Sequence, residues 1–326
     1  MIFSKASGLN DSVYGKSQDP IRFFLEKEEE GYLKGSQIDK IFNVINSDKY
    51  GEKFSEMTSK GDFQPVGEGG AYPRTSQQVG YERLVEPDEW KNSFEVTETM
   101  IEDAKMLDIK SQGSDFMLSY ARTREKFAAM FLQYGNAATF TFKEKVYNNS
   151  CRDSLALLST AHTSKTGGTG NQGNYSTAYV FSYDNLCLVE EVMQKFTDHD
   201  GNLLNIQPDT IVIPNNAAIK KLVADAVFTT GDGKKPGTTD AGFNFHDNRW
   251  NVVVWNQLSK LAAANDPWFV CDSKRNQIDG LIWIDRVPLK VRSWLDDETG
   301  NNVFGGRSRF GGAPVNWTSW YGCVPA

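Results

Sequence analysis

Histidine and cysteine are scarce. Three histidines and four cysteines in 326 residues leave little material for a metal centre or a nucleophile–base pair. Cys151, Cys187, Cys271 and Cys323 lie too far apart for a C-x-x-C pair, which excludes a zinc knuckle or thioredoxin-type motif. Four reduced, mostly buried thiols are expected instead. His162, His199 and His246 form no H-E-x-x-H pattern. No apolar run approaches bilayer-spanning length, and Met1 to Pro20 contain no stretch fit for a signal peptide. The expectation is a chain that folds in the cytoplasm and enters no membrane. An excess of positive charge is missing too: 35 Lys+Arg stand against 42 Asp+Glu, a net charge of −7. An acidic chain has no long-range attraction for phosphate backbones. That disfavours a sequence-reading DNA-binding protein and leaves open one that only encloses DNA.

Short motifs fail on context. Gly168-Thr-Gly170-Asn-Gln-Gly173 matches G-x-G-x-x-G, but it neither follows a strand nor opens a helix, so a flexible loop is expected. Gly15-Lys16-Ser17 echoes a phosphate-binding loop, yet Asn10 stands where that loop needs glycine. Asp198-His-Asp-Gly-Asn lacks the twelve-residue ligand frame of a calcium loop and reads as a turn. The N-x-S/T triplets at Asn148, Asn174 and Asn316 are chance matches without a secretory leader. A hydrolase built on Cys151 and His162, or a sugar platform made by the C-terminal tryptophans, is a reading from another class; nothing in the spacing assembles either. No cofactor or metal is implied.

What is present is aromatic and patterned. Aromatics reach 12%, pointing to extensive buried contact within or between subunits. Residues 1–35 read as an extended arm ending in the acidic run Glu26, Glu28, Glu29, Glu30. A short amphipathic helix is expected from Gln37 to Asn46. Residues 59–98, interrupted by Gly61, Gly67, Gly69, Gly70, Pro73 and Gly80, read as a two-stranded ribbon, with extended segments at Asp62–Val66 and Gln77–Val85 and a returning alternation over Asn92–Met100. Such a ribbon is marginal alone and needs a surface to lie on. The strongest helix is expected over Ser114–Tyr134, capped by Ser114 or Asp115 and ended by Gly135, with Phe116, Tyr120, Phe127 and Phe131 in one stripe. Arg124 intrudes on that stripe. A strand over 137–149, helices near Ser182 and Ile219, a buried strand at Pro208–Pro214, and strands at Val252–Trp255, Trp268–Cys271 and Leu281–Asp285 follow. The class is α+β, since no alternating βαβ units appear.

In order along the chain, these pieces resemble a known family. Phe94-Glu-Val-Thr-Glu-Thr-Met-Ile-Glu-Asp103, Leu158-Ser-Thr-Ala-His162, Asp200-Gly-Asn-Leu-Leu-Asn-Ile-Gln-Pro-Asp-Thr-Ile-Val-Ile-Pro214 and Asp266-Pro-Trp-Phe-Val-Cys-Asp272 resemble stretches of tailed-bacteriophage major capsid proteins of the Hong Kong 97-type fold, and within them of Mu-like head subunits. The resemblance implies an arm and short helix (1–58), an E-loop (59–98), a peripheral domain (99–149 and 284–310) with spine helix 114–134, and an axial domain (150–283 and 311–326). It implies a self-assembling subunit that forms pentamers and hexamers of an icosahedral head around double-stranded DNA, with portal, scaffolding and possible decoration proteins as partners. An encapsulin-like cellular compartment shell is the alternative. Contacts between subunits are then expected at E-loop residues Gly67, Gly69, Gly70, Arg74, Glu82, Arg83 and Glu86, and at Arg122 and Arg124 of the spine helix. Gly231, Gly233, Lys234 and Lys235 would face the capsomer axis.

Overall fold

The computed structural model describes residues 35–58, 60, 62–74, 77–103, 106–167, 170–228, 244–260 and 266–325. Most of the expected arm and all of Gly231, Gly233, Lys234 and Lys235 lie outside them. The chain enters with one helical turn, α1 (Ile38–Ile41), and passes straight into strand β1 (Asn43–Asn46). The helix expected over residues 37–46 is therefore cut short. Ile38, Ile41 and Phe42 bury as the periodicity requires. A helix this short has little stability of its own, and from Asn43 a parallel ladder on residues 282–285 takes over.

Strands β2 (Glu52–Met57) and β3 (Val79–Val85) form the ribbon. β3 is the extended segment read over Gln77–Val85, but its partner is β2, and Asp62–Val66 forms no strand. β4 (Asp88–Val96), expected as the ribbon's return, belongs to a larger sheet. The reason is aromatic: Trp90 and Phe94 on one face of β4 stack on Phe310 and Phe304 at centroid distances of 5.0 and 5.3 Å. A solvated ribbon could not bury those rings. Thr97 ends the strand and caps α2 (Glu98–Glu102), its hydroxyl accepting from Met100 N–H.

Helix α3 (Met106–Gln133) runs 28 residues, about 42 Å at 1.5 Å per residue. It starts two turns before Ser114, so neither Ser114 nor Asp115 is a cap. Gly113 within it costs about 1 kcal/mol relative to alanine. Burial of Ile109 beside Val96, Met117 and Phe304 offsets that. At the far end Asn149 donates to the free carbonyls of Phe131 and Tyr134 at 3.2 and 2.7 Å. The strand expected over 137–149 is a hairpin, β5 (Thr139–Phe142) and β6 (Lys145–Asn148). Lys143 and Glu144 turn it with φ of +46° and +68°, a left-handed pair that sequence rules assign to Asn-Gly or Asp-Gly.

The second body contains β7 (Tyr175–Ser176), α4 (Tyr183–Gln194), β8 (Thr210–Pro214), α5 (Ala217–Val227), β9 (Asn251–Trp255), β10 (Trp268–Cys271) and α6 (Ser273–Asp279). The Ser182 hydroxyl accepts from Asn185 N–H, starting α4 where the sequence suggests, and the Asn216 side-chain oxygen accepts from Ala218 N–H at the start of α5. The chain closes with β11 (Leu281–Leu295), β12 (Asn302–Pro314) and β13 (Trp320–Cys323). The expected strand at 281–285 is the start of β11. Besides the ribbon and the hairpin, the described residues form two larger sheets, in the orders β1-β11-β12-β4 and β7-β13-β10-β8-β9. α3 packs on the first through Phe127, Phe131, Trp283 and Phe310. α4 and α5 pack on the second through Leu186, Val189, Met193, Ile219 and Val223.

Arg124 is the exception in the apolar seam. It was expected to reach another subunit; it points inward instead. Its guanidinium makes a two-pronged pair with Asp285 at 2.8 and 2.9 Å. It lies 5.3 Å from the ring centre of Trp283 and 5.1 Å from that of Phe310. Burial by itself would lower the arginine's pKa; the Asp285 carboxylate and Tyr120 outweigh it and hold the group above its ordinary value. Only 11% of the Arg124 side chain is exposed, so removing one partner strands the other charge. Arg124→Met or Asp285→Asn should therefore cost about 3–5 kcal/mol, while Arg124→Met with Asp285→Leu should recover most of it. Denaturant melts of the three variants check this; a single variant within about 1 kcal/mol of the parent would show the pair to be dispensable.

Candidate functional site

The ribbon is built to be held at one end. At its base Arg83 donates to the Asn148 carbonyl at 2.9 Å and to the Ser150 carbonyl, tying β3 to the end of β6. Burial pulls its guanidinium below the ordinary arginine value. Glu56 on β2 stands 3.2 Å from His199 Nε2, and Tyr81 meets the His199 ring edge-on. His199 Nδ1 accepts from the Lys165 amide at 3.1 Å, while the Lys165 ammonium lies 4.8 Å over Tyr81. The Glu56 carboxylate, facing Nε2, raises the pKa of His199. Two loops of the second body thus grip the ribbon's base.

The other end is open. Thr58 N–H donates to the Gln78 carbonyl, and the Thr58 hydroxyl accepts from Gln78 N–H, closing the ladder. Beyond it, Gly70 N–H reaches back to the Gly67 carbonyl at 2.9 Å, with Gly69 at φ +77°. Phe63 and Tyr72 are almost fully exposed, at 106% and 95%. Nothing within the described residues covers these two rings. Arg74 is exposed on the same loop. Glu82 pairs across the ribbon with Lys53 at 2.6 Å, and Glu86 meets the Tyr50 hydroxyl at 3.4 Å. Of the residues singled out from sequence, Gly67, Gly69, Gly70 and Arg74 share the tip, whereas Glu82, Arg83 and Glu86 sit near the base. Arg122 is exposed on α3. Sequence reasoning missed Glu56, Tyr81 and His199; only the last carried a signal, as a lone histidine beside a turn.

A cavity of about 190 Å³ opens beside this junction, lined in part by Cys151, Asp153, His162, His199 and Trp317. It brings together the Cys151 and His162 of the hydrolase reading, but not as a nucleophile and its base. His162 Nδ1 is 2.6 Å from Asp153 Oδ2 and Nε2 is 3.2 Å from Asn174 Oδ1. Asn174 is itself fixed, donating to the Leu157 and Trp320 carbonyls at 2.8 and 3.0 Å. Trp317 stacks flat on the imidazole at 4.3 Å. Burial pushes the Cys151 thiol well up, which disfavours the thiolate that attacks substrates. A second cysteine–histidine contact, Cys187 to His246 at 3.1 Å, is arranged the wrong way round for catalysis. Trp250 donates to His246 Nδ1 at 3.0 Å, so Nε2 carries the proton towards sulfur. Trp283 and Trp320 are fully buried and offer no sugar platform. Among the described residues no cluster suits a metal ion, and no helix is long and apolar enough to cross a membrane.

A family model described as phage capsid protein matches residues 80–324. The chain belongs to the phage capsid protein family. No curated protein sequence matches it. Its structure is similar to the capsid of a native GTA particle, at 12% identity over 89% of this chain and 90% of that one, with a TM-score of 0.52. It is similar to that of Mycobacterium phage Bobi, at 14% identity over 90% and 91%, TM-score 0.51. The mature capsid of bacteriophage PhiM1 matches at 11% identity over 88% and 86%, TM-score 0.52. At such identities the shared feature is the fold, the Hong Kong 97-type capsid fold of the sequence resemblance.

The anchorage generates a test. Arg83→Ala should loosen the ribbon and speed proteolytic cleavage within residues 62–74 several-fold. Glu82→Ala removes only an exposed pair worth up to about 1 kcal/mol and should leave the rate unchanged. Equal cleavage rates for both variants would mean that Arg83 does not hold the base.

Proposed function

We propose that this capsid subunit assembles into pentamers and hexamers that close an icosahedral head around double-stranded DNA. The observation that carries this is the ribbon: anchored at Arg83, Glu56 and Tyr81, and open at Phe63, Gly67, Gly69, Gly70, Tyr72 and Arg74. Such an element is completed by a neighbour. Rings of copies arise from heterologous contacts, in which one patch meets a different patch on the next subunit. The ribbon is then the E-loop and α3 the spine helix, with Arg122 as the helix's contact. Arg124 leaves that set, because its charge is satisfied internally. The body of α3 and the four-stranded sheet is the peripheral domain. The five-stranded body is the axial domain, with residues 231–242 at the capsomer axis. The finer likeness to Mu-like head subunits, assembly in the host cytoplasm, and portal, scaffolding and decoration partners belong to the same proposal. The family match favours a phage head over an encapsulin-like compartment; portal and terminase genes beside this one, in place of a cargo enzyme, would discriminate.

Negative-stain electron microscopy of the overexpressed protein should show shells or capsomers; featureless monomers would count against the proposal. Deleting residues 67–80 should leave capsomers or monomers, and normal shells from that variant would remove the E-loop assignment. Arg122→Glu should lower particle yield without changing the melting of the soluble subunit. Parental yield would exclude the contact.

A further inference from the structure

The face of the four-stranded sheet turned away from α3 carries a charge pattern that stability alone does not explain. Lys290 lies directly across from Arg307, and Arg307 directly across from Lys91. Three cations therefore stand side by side on adjacent strands, about 5 Å apart at the usual strand spacing. Like charges placed opposite each other destabilise a sheet. The neighbouring rows add Arg309, opposite Glu89, and Arg292, opposite Gly305. Glu89 pairs with Arg307 and Lys91, and Glu95 accepts from Asn301. Lys290 and Arg292 are exposed and have no carboxylate partner among the described residues. On a chain of net charge −7, this face is locally basic.

The same face carries a wide, open groove lined by Glu89, Lys91, Arg292, Trp294, Gly305 and Arg307. A Cβ on Gly305 would fall 2.7 Å from the Trp294 ring, so glycine there lets the indole lie down across the strand. That packing accounts for the 48% exposure of Trp294 without calling on a partner for it. What remains is an open groove whose long side chains are mostly cationic. A groove this wide and this cationic suits the phosphate backbone of a polyanion.

We infer that this face, through Lys91, Lys290 and Arg292 beside Arg307 and Arg309, contacts the phosphate backbone of duplex nucleic acid without reading its sequence. The inference rests on the proposed role of enclosing DNA. It replaces the expectation drawn from net charge, that the chain contains DNA without gripping it, with a local contact. Phosphate contacts of this kind are driven by the release of counterions, so affinity falls with salt at a log–log slope of roughly 0.9 per contact.

The test is fluorescence anisotropy of the full chain with a labelled 30-base-pair duplex over a range of KCl concentrations. The comparison is with the variant carrying Lys91→Gln, Lys290→Gln and Arg292→Gln, and with a control carrying Lys220→Gln and Lys221→Gln on α5. The parent and the control should bind alike. The face variant should bind at least about tenfold more weakly at low salt, with a log–log salt slope shallower by roughly 2–3. Its melting temperature should be equal to or above the parent's, because a repulsive row has been relieved. Equal binding and slope in parent and face variant would overturn the inference. So would tighter binding to a poly-glutamate peptide than to duplex, which would assign the face to an acidic protein. Electron microscopy of the same samples keeps the two readings apart: shells formed without any loss of DNA affinity refute only the DNA contact, whereas absence of shells from the parent refutes the capsid assembly itself.

Discussion

Arg124 occupies a position in α3 where the helical period calls for an apolar side chain, and the packing of the first body is organised around that irregularity. The guanidinium needs a carboxylate, and Asp285 on β11 supplies it. Trp283 and Phe310 then flank the cation from the sheet, with Trp283 also donating to Asp285 at 3.1 Å. Register follows from this. A helix that slid or rotated on the sheet would leave a charge buried without a partner, which costs more than losing an ordinary apolar contact. Greasy packing tolerates small shifts; a two-pronged ion pair inside an aromatic wall does not.

From that fixed seam the rest of the molecule is tied by single polar side chains in dry places. Glu125, next along α3, accepts from Ser36 and Gln37 with one oxygen and from Trp255 with the other, joining the chain's entry to the second body. Asn276 links α1, the start of β11 and Trp320. Asn174 binds the 157–162 loop to β13. These residues make the two bodies one frame. The ribbon is the opposite case. It is held by a few polar contacts at its base and leaves its largest apolar side chains in water. A frame with one unfinished arm suits the proposed assembly, in which a patch on one copy meets a different patch on the next.

Chemistry-bearing residues are present but already committed. His162 is clamped by Asp153, Asn174 and Trp317, and Cys151 is held as a buried thiol. The histidine and cysteine content that argued against catalysis in the sequence is used in the fold for wiring between loops. Its one outward expression is His199, which joins the ribbon to the second body.

The periodic apolar pattern was legible wherever one element's own stripe decided its state. The middle of α3, α4 with its Ser182 cap, and the buried strand at Thr210–Pro214 could be read directly, and so could glycines at the ribbon tip. The ordered motifs also carried the family. Strand partnership was not legible, because alternation says that a segment is extended and not what it pairs with. β4 left the expected ribbon for β12 because Phe304 and Phe310, more than two hundred residues away, offered rings to Trp90 and Phe94. Arg124 and Arg83 looked like surface charges for the same reason: their partners, Asp285 and the carbonyls of Asn148 and Ser150, are distant in the chain. The basic row of Lys91, Lys290 and Arg307 exists only after three separate strands are laid side by side. The sequence by itself determined which segments bury a face and that the ribbon would lack a core. The tertiary structure alone decided which charges are satisfied within the subunit and which are left to face outward, since that depends on long-range pairing that no local pattern records.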